Sequence, residues 1–240
     1  MFQQAQPVHQ LDIHQSASRL GARLAQWVRT RPEILFWLGL LVILNSPLLV
    51  GMPAQALSFN TAAVEAGQWW RLFTHPFVHV TWYHLLLDGS AFLTLYYSLI
   101  ENSLVRRTAF VLAAAAGSLA ASILTPHFDA VGLCGLSGIA HGLMVVSALE
   151  MMVVHKRYTF DWNLGAASFL LVTGKAALEA VTGKMFFTFL HFGLMGTPVA
   201  VSHAGGVLGG LIAFALLQQS LRGRTRQLQS GCGTRGHIAP

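Results

Sequence analysis

Residues 136–154 read LSGIAHGLMVVSALEMMVV, an apolar run whose only ionisable side chains are His141 and Glu150. A helix needs roughly 20 residues to cross the hydrocarbon core of a bilayer. A spanning segment must also satisfy its backbone hydrogen bonds internally, and this run lacks the alternation of a strand. It therefore predicts a transmembrane helix.

Five more apolar runs of similar length surround this one, at 34–50, 76–100, 104–125, 164–181 and 199–217. The sequence thus predicts an all-α, polytopic membrane protein, a bundle of six transmembrane helices. We expect a cytoplasmic N-terminal segment (1–33), a membrane domain (34–218) and a basic cytoplasmic C-terminal tail (219–240). The first segment is polar, and basic toward its end, which is unlike a cleavable signal peptide.

The amino-acid composition favours the same class of protein. Of 240 residues, 54% are apolar and 10% are charged, and the mean hydropathy is +0.55. Soluble domains carry about 25% charged residues. Disordered, collagen-like and coiled-coil proteins are therefore excluded, and an ordinary soluble domain is disfavoured. The two cysteines, Cys134 and Cys232, are too few for a disulfide framework and lack metal-ligand spacing.

The positive charge has a regular distribution. The net charge is +6 and the pI is near 9.9, which would also suit a nucleic-acid-binding protein. In a six-helix arrangement, however, one side of the membrane receives Arg19, Arg23, Arg29, Arg31, Arg106, Arg107, Lys156, Arg157, Arg222, Arg224, Arg226 and Arg235. Only Arg71 and Lys184 fall on the other side. Lys175 lies inside the fifth run, one turn before Glu179, and we expect the two to pair and cover each other's charge. The positive-inside rule then predicts that both termini are cytoplasmic, and no nucleic acid is needed to explain the charge.

Polar residues inside the predicted helices are costly and therefore need a reason. In the second run, His84 and Asp88 are four residues apart and share a helix face. In the sixth run, His203, Gly206 and Gly210 share a face, and glycines allow a neighbouring helix to approach closely. The fourth run begins at a glycine-rich stretch around Ser137, so we expect these two helices to pack together there.

This packing predicts a nucleophilic site. A serine hydroxyl becomes a good nucleophile when a base lies within hydrogen-bonding reach, and histidine is the usual base. We therefore predict that Ser137 and His203 form a catalytic dyad. Backbone N–H groups at the start of the fourth helix would stabilise the oxyanion of a tetrahedral intermediate, and His84 could add a side-chain donor.

These residues resemble the motifs of the rhomboid intramembrane serine proteases. The similar pieces are Trp70-Arg71, His79 and His84 in the second helix, Gly135-Leu-Ser137-Gly, and His203 with Gly206 and Gly210. The resemblance implies a six-helix fold with a water-filled cavity. It also implies that Ser137 is the nucleophile, that His203 is the general base, and that His84 with Gly135 supports the oxyanion hole. His79 would help to hold the first loop, together with Trp70 and Arg71.

Two positions depart from the family pattern. Asp88 stands where rhomboids often have an asparagine, and an ionised carboxylate would repel an oxyanion. Asp88 must therefore be protonated, turned toward His84, or outside the hole. His141 stands where many rhomboids have a tyrosine that packs on the catalytic histidine, so we expect it to pack under His203 or to assist directly.

The string Gly-Leu-Ser137-Gly-x-x-His141-Gly resembles the rhombosortases, a bacterial subgroup of rhomboids. This resemblance implies a multi-pass protein of the bacterial inner membrane. Its substrates would be exported proteins with a membrane-spanning C-terminal sorting tail that contains a glycine-rich motif. The acyl-enzyme formed by cleavage could be hydrolysed, or its acyl group could be transferred to an amine-bearing lipid.

The sequence leaves some alternatives open. A general rhomboid protease that hydrolyses single-span membrane proteins is one, and a non-catalytic rhomboid-like protein that binds membrane clients is another. A transporter would be expected to show inverted repeats with broken helices, and none is visible. We expect no organic cofactor and no metal, because His75, His79 and His84 lack thiolate or carboxylate partners arranged with them.

Overall fold

The structure, a computed structural model, describes residues 31–125, 132–186 and 199–233, with the backbone alone for residues 219–233. Contacts divide the chain into two compact units, Met1–Leu40 and Leu41–Pro240. The described residues contain helices, turns and one isolated bridge but no strand. The prediction of an all-α protein is therefore confirmed.

The helices follow the apolar runs of the sequence. They are α1 (Glu33–Leu44), α2 (Thr61–Glu65), α3 (Arg71–Thr74), α4 (Trp82–Ser98), α5 (Leu104–Ile123), α6 (Ser137–Val154), α7 (Phe160–Thr182) and α8 (Ala200–Gly233). Short 3-10 turns lie at Ser46–Val50, Gln55–Leu57 and His75–Phe77. Side-chain oxygens of Asn60, Thr81 and Thr159 cap the first turns of α2, α4 and α7, which supplies acceptors for N–H groups that lack one within the helix.

Four of the described helices are long and apolar enough to cross a membrane: Leu104–Ile123, Ser137–Val154, Phe160–Thr182 and the Ala200–Gln218 part of α8. The protein is therefore a multi-pass membrane protein. Helix α1 has 12 residues and α4 has 17, so at 1.5 Å per residue α1 rises only about 18 Å. The predicted count of six spans is not confirmed and stays a prediction.

The second helix begins later than the apolar run suggested. The run starts at Pro76, but residues His75–Phe77 form a 3-10 turn, and α4 begins at Trp82 with Thr81 as its cap. Because Val78 is extended, the chain leaves the helical conformation between the two elements. The expectation that His79 lies in the second helix is therefore wrong: it lies in the loop before α4.

The outward faces of the long helices are apolar. Large exposed side chains include Leu112, Leu170, Leu171, Val181, Leu208 and Leu216. Such a surface would be unfavourable in water and is stable against lipid chains. This exposure agrees with the membrane location.

Helix α8 lies at the centre of the bundle and packs against α5, α6 and α7. Its glycines permit backbone contact. A Cβ atom at Gly206 would overlap the carbonyl oxygen of Gly138, and one at Gly210 would lie 2.5 Å from that of Gly142. Small residues allow such close approach between helices in a bilayer. The start of α8 is therefore held against the start of α6.

Candidate active site

The loop before α6 is held in place on both sides. Phe59 and Leu133 exchange two backbone hydrogen bonds, with N···O distances of 2.9 and 3.2 Å. The N–H of Gly135 donates to the carbonyl oxygen of His75 at 3.2 Å. Gly135 has a φ of +98°, a left-handed conformation that glycine adopts without steric cost. These contacts fix the point at which α6 begins, at Ser137.

Arg71 ties the preceding loop to the same region. Its guanidinium donates to the carbonyl oxygens of Gln55 and Ser58 at 2.7 and 2.6 Å, and to Gln68 Oε1 at 2.8 Å. Trp70 Nε1 donates to the carbonyl oxygen of Ala56 at 3.1 Å. Since Ser58 precedes Phe59, Arg71 indirectly supports the strand-like pairing that positions Ser137.

His203 lies in the first turn of α8 and is 3% exposed. Its Nδ1 atom is 2.7 Å from Oε2 of Glu179, which projects from α7 and is fully buried. A carboxylate at Nδ1 leaves Nε2 as the atom free to accept a proton. The electrostatic partner of His203 is thus on a helix that the sequence analysis did not connect with the dyad.

His141 contacts both halves of the site. Its ring stacks on that of His203, with centroids 3.9 Å apart and planes inclined by 12°. Its Nδ1 atom is 2.7 Å from the carbonyl oxygen of Ser137, and its Nε2 atom is 3.0 Å from Lys175 Nζ. Because a carbonyl can only accept, Nδ1 donates and Nε2 accepts from the lysine. His141 therefore packs against His203, as one of its two expected roles requires.

Lys175 and Glu179 form a close ion pair within α7. Lys175 Nζ is 2.8 Å from Oε1 and 2.9 Å from Oε2 of Glu179. The backbone N–H of Phe186 also donates to Oε1 at 2.8 Å. Residues four apart on a helix are neighbours, so the sequence suggested the pair. It gave no sign that Glu179 also reaches His203.

Ser137 is half-buried at the N-terminus of α6. The next residue, Gly138, contacts Gly206 and lies beside the carbonyl oxygen of Ser202. Ser137 and His203 are therefore each next in sequence to a residue of the contact between α6 and α8. The structure records no hydrogen bond from the Ser137 hydroxyl to another described residue. Catalytic hydrogen bonds are often long or poorly aligned in unliganded enzymes.

A second polar cluster surrounds His84. Its Nε2 atom is 3.1 Å from Asp88 Oδ2, and His79 Nε2 is 3.9 Å from the same oxygen. Of the three arrangements considered for Asp88, the structure has it turned toward His84. A Cβ atom at Gly135 would lie 2.8 Å from His84 Nε2 and 3.0 Å from Asp88 Oδ2, so this cluster borders the loop that leads into Ser137.

His79 is anchored by Asn45. The Asn45 Oδ1 atom accepts from the His79 backbone N–H at 2.8 Å and lies 3.2 Å from its Nδ1. The Asn45 amide donates to the carbonyl oxygens of Leu41 and Phe77 at 2.8 and 2.7 Å. Asn45 was not predicted from the sequence, although an asparagine inside the apolar run 34–50 is a recognisable signal.

Two groups of described residues have metal-ligand spacing: His79, His84 and Asp88, and also His141, Glu179 and His203, with ligand atoms within 4.8 Å of one another in each group. The expectation of no metal rested on His75, His79 and His84 having no carboxylate arranged with them, but Asp88 does lie with His79 and His84. In the second group, Glu179 and His141 are already hydrogen-bonded to Lys175. That lysine would oppose a cation there.

Cys134 is an unsuitable nucleophile even though it lies close to Ser137. Burial raises the pKa of its thiol to about 11, and the charge of Asp88 acts in the same direction. Since the thiolate is the reactive form, very little is present at neutral pH.

The fold and the buried histidines define a helical membrane protein whose polar centre lies where helices α6, α7 and α8 meet. The model of the rhomboid domain family matches residues 66–220, which are more than half of the chain. The protein therefore belongs to the rhomboid family, whose members are intramembrane serine proteases that act on membrane proteins within the bilayer. No curated protein matches the chain.

Proposed function

We propose that this protein is a serine endopeptidase in which Ser137 is the nucleophile and His203 is the general base. The observation that carries the proposal is the environment of His203. Its Nδ1 atom faces a carboxylate at 2.7 Å and its ring is stacked on His141, which is itself bonded to the Ser137 carbonyl. A histidine held by these contacts beside a helix N-terminal serine is suited to take the proton of that serine.

The chemistry follows from these positions. The Ser137 Oγ atom attacks the carbonyl carbon of a peptide bond while its proton passes to His203 Nε2. The resulting tetrahedral intermediate collapses, the C–N bond breaks, and His203 returns the proton to the leaving amine. Water then attacks the acyl carbon and gives its proton to His203, the ester bond to Ser137 Oγ breaks, and His203 returns the proton to Oγ, which releases a carboxylic acid and free Ser137.

The oxyanion would lie at the N-terminus of α6. Ala140 is the first residue of this helix whose N–H bonds to a preceding carbonyl, that of Leu136 at 2.8 Å. The N–H groups of Ser137 and Gly138 precede it and lack an acceptor within the helix. The N–H of Gly135 is already bonded to His75, so the donors are those of the first turn. His84 Nε2 faces Asp88 Oδ2 at 3.1 Å, so the proposed donation from His84 requires this nitrogen to turn from Asp88 toward the oxyanion.

We propose further that the enzyme is a rhombosortase of the bacterial inner membrane. Its substrates would be exported proteins with a glycine-containing C-terminal tail that spans the membrane. Support comes from the Gly-Leu-Ser137-Gly-x-x-His141-Gly string and from the stacking of His141 where a tyrosine is common. Glycine has a low helix propensity, so a glycine-rich segment would unwind readily and expose its peptide bonds.

The acyl-enzyme could also react with the amine of a lipid. The amine nitrogen would form an amide with the acyl carbon, the Ser137 ester bond would break, and the proton of the amine would pass through His203 to Oγ. Mass spectrometry of the new C-terminus of a processed substrate separates the two outcomes. A mass increase from an aminated lipid fragment supports transfer, and a free carboxylate shows hydrolysis.

A fluorophosphonate probe tests the peptidase proposal. We expect the purified full-length protein to become labelled, and Ser137→Ala and His203→Ala to lose labelling while they remain folded by circular dichroism. Ser147→Ala, a change elsewhere on α6, is the matched control and should label normally. A folded wild-type protein that is never labelled would favour the alternative of a non-catalytic client-binding protein.

A further inference from the structure

We propose that Glu179 is a positioning residue that completes a Ser137–His203–Glu179 triad, so that the mechanism uses three residues where the motifs suggested two. This inference rests on the proposed peptidase function. It concerns a residue on α7, outside the serine and histidine motifs, that was interpreted from sequence as the charge partner of Lys175.

The contact between Glu179 and His203 is short and buried. Glu179 Oε2 lies 2.7 Å from His203 Nδ1, and the two residues are 0% and 3% exposed. A hydrogen bond to an ionised acceptor at this distance is stronger than one between neutral groups. Since α7 and α8 pack directly against each other, the contact fixes the imidazole between two helices.

The contacts of the Glu179 carboxyl group favour its ionised form. Its oxygens face Lys175 Nζ at 2.8 and 2.9 Å, and Oε1 also faces the backbone N–H of Phe186 at 2.8 Å. Ammonium and amide groups can only donate. A carboxylate accepts through both oxygens and therefore satisfies all of these donors, and the Lys175 ammonium against both oxygens favours this ionised form.

Glu179 also determines which ring nitrogen of His203 carries the hydrogen. A carboxylate at Nδ1 requires that this nitrogen carry the hydrogen, which leaves the lone pair on Nε2. This is the tautomer that a general base needs in order to accept the proton of a serine. Glu179 thus selects the reactive form of the ring as well as its orientation.

The charges of Lys175 and Glu179 suit a histidine that becomes protonated during the reaction. Lys175 and Glu179 together are neutral, and His141 accepts from Lys175 through Nε2. Before the reaction, this pair therefore places no net charge next to His203. When His203 takes the serine proton it becomes positive, and the carboxylate at 2.7 Å stabilises it. Glu179 thus stabilises the protonated His203 that forms during the reaction more than the neutral His203 that precedes it.

The test is Glu179→Gln in the full-length protein reconstituted in lipid vesicles, with the fluorophosphonate as the reactant. Glutamine keeps the shape of glutamate, but its amide N–H₂ facing His203 would force Nδ1 to accept and place the hydrogen on Nε2. We expect the rate of serine modification at saturating probe to fall by about 10²–10⁴-fold. The probe concentration for half-saturation should stay unchanged, because binding is not altered.

Two variants show whether the loss is specific. Glu179→Asp retains the charge and should recover part of the rate. Glu150→Gln changes another buried glutamate, one that accepts from the backbone N–H groups of Ile100 and Glu101, and it should label within about threefold of wild type. A Glu179→Gln protein that reacts at the wild-type rate would overturn the proposal, whereas an unreactive wild type would instead overturn the peptidase proposal.

A measurement on the unmutated protein covers the case in which Glu179→Gln does not fold. In ¹⁵N-histidine NMR spectra, the Nδ1 proton of His203 should appear as a strongly deshielded resonance that is missing from His203→Ala. If His203 instead carries its hydrogen on Nε2, the carboxylate does not set the tautomer and the proposal fails.

Discussion

At the scale of single residues, the site depends on side chains that never touch the reacting atoms. Arg71 shows this clearly. It donates to two carbonyl oxygens of the loop around Ser58, and the next residue, Phe59, pairs with Leu133. The sequence indicated Arg71 as a structural residue because of the resemblance, but only the hydrogen bonds show what it holds.

We expect Arg71→Lys to destabilise the protein by about 1–3 kcal/mol, because a lysine cannot donate in the forked geometry of a guanidinium and leaves carbonyl oxygens without a donor. Thermal unfolding in detergent measures this loss. Trp70→Phe, which removes one exposed neutral hydrogen bond, should cost less. An unchanged unfolding temperature for Arg71→Lys would mean that the loop does not rely on these bonds.

At the scale of helices, the contact between α6 and α8 sets the depth of Ser137 relative to His203. Gly138 meets Gly206 and Gly142 meets Gly210, so the two backbones touch at two points about one helical turn apart. The sequence predicted this packing from the glycine spacing. It did not predict that α7 also contacts His203, because the ion pair between Lys175 and Glu179, four residues apart, looks complete in itself.

We expect Gly206→Ala to lower stability by about 1–3 kcal/mol, since a methyl group forced against backbone cannot be relieved by a rotamer change. Probe labelling should slow in the same variant as the helices move apart. Gly174→Ala is the matched control: it lies on α7 with no atom within 4 Å of the new Cβ, and alanine has the higher helix propensity. Equal losses in both variants would argue against close packing at Gly206.

At the scale of the whole molecule, helix length and charge distribution together predict the topology. Four described helices are long enough to span a bilayer, while the charge distribution predicts six spans with both termini in the cytoplasm. Helix α7 has 23 residues, about 35 Å at 1.5 Å per residue. Its two ends should therefore lie on opposite sides of the membrane.

Single cysteines at the two ends of α7 test this orientation. In a background with Cys134→Ala and Cys232→Ala, we expect Lys184→Cys to react with a membrane-impermeant maleimide in intact bacteria. Arg157→Cys should react only after the inner membrane is permeabilised. The reverse pattern would show that the predicted orientation is wrong, and reaction of both residues in intact cells would show that α7 does not span.

The sequence by itself determined the class of this protein. Apolar runs and glycine spacing act locally or at fixed helical intervals, so they predicted an all-α membrane bundle and the packing of the two helices that carry Ser137 and His203. The resemblance of the motifs implied the rhomboid family. The tertiary structure decided which helices contribute the remaining contacts. Glu179 reaches His203 and Asn45 anchors His79 across 24 and 34 residues, and such distances follow no sequence period because they depend on how separate helices pack in three dimensions.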